Sequence, residues 1–167
     1  MAPAAPETRM FKTIAAIALF SLPLASAWAG EADFYGKWKI TGAVEAPWED
    51  PAHPMVTDDV ERYAGQVVEI SAGRMAGPDL LGCGATDFSI DALPYAGLFE
   101  GGLGVDPGNP AAPYDEARAR RLAEGLGYRA EPVESLSQGC SEIILHRMNG
   151  TMLQFALDNR IFSLERQ

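Results

Sequence analysis

The sequence predicts a mainly β domain, an antiparallel meander of about eight short strands closing into a small barrel, with one α-helix at about 114–126. Three observations carry this. Short stretches of alternating apolar and polar residues recur along the chain, as in strands with one buried face. Gly, Pro, Asn and Asp punctuate those stretches at short intervals. Only one stretch places its apolar residues at helical spacing. Closing the sheet would remove its exposed edges.

The first residues read as a leader. Arg9 and Lys12 precede the apolar run 13–24, and Ala25-Ser26-Ala27 fits a small-x-small cleavage pattern, with Ala27-Trp28-Ala29 as a second candidate. Basic, apolar and small regions in that order make a secretory signal peptide. The run is about a dozen residues, short of the roughly 20 a spanning helix needs. Residues 1–27 are therefore expected to be a cleaved signal and 28–167 a single domain, with Met10 as an alternative start. No Cys follows the cleavage region, which argues against a lipid anchor. A periplasmic location is expected, with secretion as the alternative.

The elements follow in order. In 34–44, Trp38, Ile40 and Val44 alternate with Lys37, Lys39 and Thr41, giving the first strand. Residues 45–56 hold three prolines and cannot be a central strand, so they form a surface loop. Thr57-Asp58-Asp59 can cap a short helical turn through Val60 and Tyr63 to Gly65. A strand at 66–71 turns at Ala72-Gly73, returns over 74–76 and stops at Gly77-Pro78. Residues 86–93 alternate again, 98–103 suit a glycine-interrupted strand, and 104–113 form a second loop. In 114–126, Ala119, Leu122, Ala123 and Leu126 make one apolar helical stripe. Asp115 and Glu116 favour its start and Gly127 its end. Arg118, Arg120 and Arg121 lie on its other faces, as a solvated face with Glu116–Arg120 pairing. One more strand precedes a C-terminal meander of 141–148, 151–157 and 160–166. Its turns are Asn149-Gly150, read as type I′, and Asp158-Asn159.

The formal charge of the 167 residues is −10. Cleavage after residue 27 removes Glu7, Arg9 and Lys12, one acid and two bases, so −10 becomes −11. Such acidity, without clustered Lys and Arg, excludes a nucleic-acid surface. With 47% apolar residues the chain is too apolar for disorder. No second long apolar run follows the leader, so the mature chain is expected to be soluble, without a membrane span, and a monomer. Cys83 and Cys140 are the only cysteines, 57 residues apart, and an exported chain is expected to bridge them. There is no C-x-x-C to suggest a redox or metal pair.

Gly36-Lys37-Trp38 opens the first strand. This G-x-W resembles the lipocalin and wider calycin signature. The resemblance implies an up-and-down barrel with Trp38 closing one end against an Arg on the last strand, Arg160 or Arg166. The helix sits one strand before the final meander, whereas a lipocalin's main helix follows the eighth strand. The start is also similar to META/heat-shock lipoprotein-like envelope domains, whose G-x-x-G-C-N segment resembles 77–84, here with an insertion and no Asn. Both resemblances imply a small envelope β-domain, and neither implies catalysis.

Catalytic signals are sparse. His53 and His146 are the only histidines, and His146 is read as a packed or surface strand residue. No G-x-S-x-G, P-loop or G-x-G-x-x-G is present, since Gly101-Gly102-Leu103-Gly104 lacks the Lys and the helix. No catalytic residue, metal ligand or cofactor is assigned. The 49–59 loop gathers Glu49, Asp50, His53, Asp58 and Asp59 beside Trp48; it could serve a divalent metal or a gating loop, but reads foremost as a solvated acidic loop whose Trp48 and Met55 cover the barrel mouth. Trp38, Phe88, Phe99, Phe155 and Phe162 fall on predicted strands, mostly as core. Trp48, His53, Phe88 and Phe99 are the candidate ligand-binding residues, because barrel mouths can hold apolar cavities. The expected function is non-covalent binding of a small apolar ligand or a protein partner by an exported lipocalin-like protein. The alternatives are a periplasmic inhibitor or chaperone-like protein presenting its acidic surface to a basic partner, and a metal-handling protein using the 49–59 loop.

Overall fold

A computed structural model describes residues 30–50, 52 and 58–167. The expected signal segment 1–27, His53 and the capping Thr57 lie outside them. The strands are β1 (Gly36–Glu45), β2 (Val67–Ser71), β3 (Arg74–Ala76), β4 (Phe88–Leu93), β5 (Val133–Gln138), β6 (Ile144–Asn149), β7 (Met152–Leu157) and β8 (Arg160–Arg166). Helices α1 (Asp59–Tyr63) and α2 (Glu116–Leu126) and three 3₁₀ segments, Glu31–Phe34, Asp79–Leu81 and Tyr95–Gly104, complete the described elements.

All eight strands belong to one antiparallel sheet in the order β3-β2-β1-β8-β7-β6-β5-β4. Strands adjacent in sequence pair with one another, except β3 and β4, and β1 also pairs with β8. First and last strands therefore join, and the curled sheet is left open between β3 and β4. Two sequence features stop those strands from pairing. β3 is three residues long, and Gly77-Pro78 ends it where proline has no N–H to donate. The opening is laced instead. Met75 and Cys83 exchange backbone hydrogen bonds, Thr86 N–H donates to Gly73, and Gly139 N–H donates to the Thr86 hydroxyl. Cys83 and Cys140 are disulfide-bonded across it, with their Cα atoms 6.1 Å apart.

The period-two pattern sorts the side chains onto two faces. Inside the curl, Trp38, Ile40, Val68, Ile70, Leu136, Leu145, Leu153, Phe155, Phe162 and Leu164 are buried in one cluster. Phe34 and Tyr63 fill it from the ends, and Phe155 stacks on Phe162 at 5.0 Å. Full burial of such a side chain is worth about 1.5–3 kcal/mol. The outer face of β5–β8 is covered by α2 and the 95–104 segment, where Leu98, Phe99, Leu103, Ala119, Ala123 and Tyr128 meet Val133 and Ile161.

Trp38 is fully buried, and its indole N–H donates to the Phe34 carbonyl at 2.8 Å. Of the two candidate arginines, Arg166 lies over its ring, 4.1 Å from the centroid. Arg166 donates to the carbonyls of Asp33, Tyr35 and Gly150, which fixes the guanidinium. Gly36 has φ +136°, and a Cβ there would stand 2.8 Å from an Arg166 nitrogen. Arg160 instead approaches Glu45 at 3.8 Å.

Four local expectations are corrected. Residues 98–103 are not a strand: Gly101, Gly102 and Gly104 let the chain kink and press against α2. Phe99 is therefore not a strand residue. The type I′ turn is Asp158-Asn159, with φ of 45° and 58°, and not Asn149-Gly150. β6 runs on through Asn149, whose side chain accepts from Thr151 N–H at 2.8 Å, so Gly150-Thr151 forms that loop. Finally, Arg120 pairs with Glu131 at 3.0 Å rather than with Glu116, because the chain returns beside α2 on its way to β5.

Candidate functional site

A cleft of about 250 Å³ opens on the outer face, between the kinked 95–104 segment and β6–β7. Its walls come from Trp48, Phe99, Glu100, Gly102, Val105, Glu142, Ile144, His146 and Ala156. Trp48 follows β1 beyond Ala46-Pro47. Its indole N–H donates to the Asn159 side chain at 3.3 Å, and its ring lies 5.8 Å from that of Phe99.

The kink positions Phe99 and Glu100. Phe99, Glu100 and Gly101 all have left-handed dihedrals, with φ of 50°, 56° and 83°. For the two non-glycine residues this costs of order 1–2 kcal/mol each, so the surroundings must hold it. His146 does so. Its Nε2 accepts the Phe99 N–H at 3.2 Å, and its ring meets the Phe99 ring edge-on at 4.7 Å. An accepting Nε2 leaves the proton on Nδ1, which donates to the Ser135 hydroxyl at 2.8 Å. That hydroxyl donates in turn to the Val133 carbonyl. Burial pushes the His146 pKa down to about 3, so the imidazole is neutral. Ser135 is 1% exposed, away from the cleft lining, and its partner imidazole is already engaged at both nitrogens. This chain of bonds is therefore a strut under the kink and not a nucleophile–base pair.

The three glycines of Gly101-Gly102-Leu103-Gly104 each have a task. Gly101 takes the third left-handed position. The Trp48 ring lies on Gly102, where a Cβ would come within 2.5 Å of it, and the Tyr114 ring lies on Gly104 in the same way. Gly102→Ala is expected to push Trp48 off the backbone, costing about 1–2 kcal/mol as overpacking does. Trp48 emission should shift to the red; unchanged emission and stability would mean that the ring does not rest there.

Glu100 and Glu142 are the carboxylates of the cleft. Both are exposed, and among the described residues no ion pair or hydrogen bond engages either side chain. Replacing Glu100 by Gly relieves about 1–2 kcal/mol of left-handed strain and adds about 0.5–1 kcal/mol of unfolded-state entropy. Glu100→Gly should therefore raise stability by up to about 1 kcal/mol in denaturant titrations while removing one charge from the cleft. A loss of stability would show that the Glu100 side chain makes a contact that outweighs the strain.

Of the four expected ligand-binding residues, Trp48 and Phe99 meet in this cleft. Phe88 lies on β4 facing the inner cluster, half-buried and away from it, because period two turns it inward with Ile90. His53 lies outside the described residues. The expected mouth cavity is displaced, since the inner face is filled by buried side chains. Glu100, Glu142, Val105, Ile144 and Ala156 were not legible as site residues, though the Phe-Glu-Gly-Gly run carried a signal for the kink. Among the described residues, no group of three His, Cys, Asp or Glu side chains could hold a metal ion, and no helix is long and apolar enough to cross a membrane. Comparison with known proteins found no family model, no curated protein and no solved structure that matches the chain.

Proposed function

We propose that this is an exported, lipocalin-like binding protein that works non-covalently through the outer cleft, on a ligand joining an apolar or aromatic body to a positive charge. The observation that carries this is the joining of aromatic walls, Trp48 and Phe99, to two exposed carboxylates, Glu100 and Glu142, around about 250 Å³. Aromatic faces attract cations by about 0.5–2 kcal/mol, and carboxylates add charge-assisted hydrogen bonds. The filled inner face supports placing the site outside the curl. The net charge of −10 supports steering of a cationic ligand, strongest at low salt.

A fragment set of aryl-alkyl ammonium ions, beginning with phenethylamine, tests this by calorimetry and Trp48 emission. Saturable binding that weakens about tenfold in Glu142→Gln, and as much in Trp48→Ala, is expected. The absence of a saturable response with every member of the set overturns the proposal.

A further inference from the structure

The cleft does not end at its carboxylates. A second cleft of about 330 Å³ adjoins it, lined by Leu80, Glu100, Ser141, Glu142, Ile143, Ala156 and Leu157. The two share Glu100, Glu142 and Ala156, so the carboxylates stand at their junction. The first half is walled by aromatic rings and the second by aliphatic side chains. Leu80, 52% exposed, lines only the second, and Val105, 37% exposed, only the first. The two clefts together thus offer apolar side chains in both halves and negative charge where they join.

From this arrangement we infer that the groove docks an extended segment of a partner protein, with a Lys or Arg between an aromatic and an aliphatic residue. The inference rests on the binding role proposed above and adds its occupant. A small ammonium ion fills only the first half and leaves Leu80, half exposed, and the partly buried Leu157 uncovered. A peptide places successive side chains about 3.3 Å apart along its backbone, so a short segment can reach both halves through the junction. Its basic side chain would lie between Glu100 and Glu142, where a cation meets two carboxylates with no competing partner among the described residues. The acidity of the chain selects a basic partner and disfavours an acidic one.

The test uses the full chain, phenethylamine, and two libraries of N-acetylated, C-amidated tetrapeptides with Lys or Glu fixed at the second position. The expected result is enrichment from the Lys library alone of an aromatic first residue and an aliphatic third or fourth. The best peptide should bind at least tenfold tighter than phenethylamine, and Leu80→Ser should remove most of that advantage. Glu142→Gln should weaken both ligands. If phenethylamine binds and no peptide exceeds it, the inference is overturned while the binding role stands. If peptides gain equally with Lys or Glu, the charge at the junction selects nothing and the inference also fails. If neither amine nor peptide binds, both proposals fall.

Discussion

The double variant Cys83→Ala, Cys140→Ala is expected to unfold with about 4 kcal/mol less stability than the oxidised protein, as chain entropy gives for a loop closed by residues 57 apart. Domains of this kind are stable by about 5–15 kcal/mol, so the loss is a large share of the total. Alanine suits the test, because Cys83 is 3% exposed and a serine hydroxyl there could be left without a partner. The loss should have a place as well as a size. β3 and β4 do not pair, and the bridge spans that opening with the Met75–Cys83 hydrogen bonds and the Thr86 contacts. Amide exchange in the variant should accelerate first at Met75, at position 83 and at Thr86, well before the β1–β8 ladder. Urea titrations of the variant, and of the wild type with and without reductant, measure the total. A loss below about 1 kcal/mol would show that backbone lacing alone holds the opening.

Acid should weaken the fold through His146. Its folded pKa of about 3 lies below the ordinary 6.5, because burial disfavours the imidazolium. Above pH 6.5 both folded and unfolded chains hold it neutral, and it adds no pH dependence. Between 6.5 and 3 the unfolded chain takes up a proton that the folded chain refuses, so stability falls by up to about 1.4 kcal/mol per pH unit. The loss attributable to this residue is about 2 kcal/mol at pH 5 and about 3 kcal/mol at pH 4. Other groups titrate in acid too, so the comparison is with His146→Gln, whose amide can still accept from Phe99 N–H and donate to Ser135. Denaturant titrations from pH 7 to 4 should show a shallower slope in the variant. Proton NMR of the folded wild type should show the His146 ring signals unmoved over that range. A ring titration midpoint near 6 would sink the prediction. Because His146 supports the Phe99–Glu100 kink and stays neutral, the kink should persist in acid as long as the fold does.

Much of the fold was legible because its signals are local. Alternation at Trp38 and Ile40 marks a strand whichever partner it finds, and the stripe Ala119, Leu122, Ala123, Leu126 marks a helix whatever covers it. Gly77-Pro78 announces a stop. The misreadings share one cause, in that a local pattern admitted two structures and distant contacts chose between them. Residues 98–103 have the apolar content of a strand, yet α2 and the His146 side chain, 47 residues from Phe99, hold them as a left-handed kink. The site was legible only in its aromatic walls. Trp48 and Phe99 stand out by residue type, whereas Glu100 and Glu142 are ordinary acidic residues until the fold sets them at one junction.

The sequence by itself determined the mainly β class, the order of the strands and the helix apart from the segment at 98–103, the pairing of Cys83 with Cys140 and the net acidity. These follow from period, turn chemistry, cysteine count and charge, none of which depends on long-range geometry. Only the tertiary structure decided where the sheet opens, which arginine covers Trp38, and that the inner face is filled while the cleft lies outside. Those outcomes depend on which surfaces meet across tens of residues. Close packing allows one solution there, and no local period encodes it.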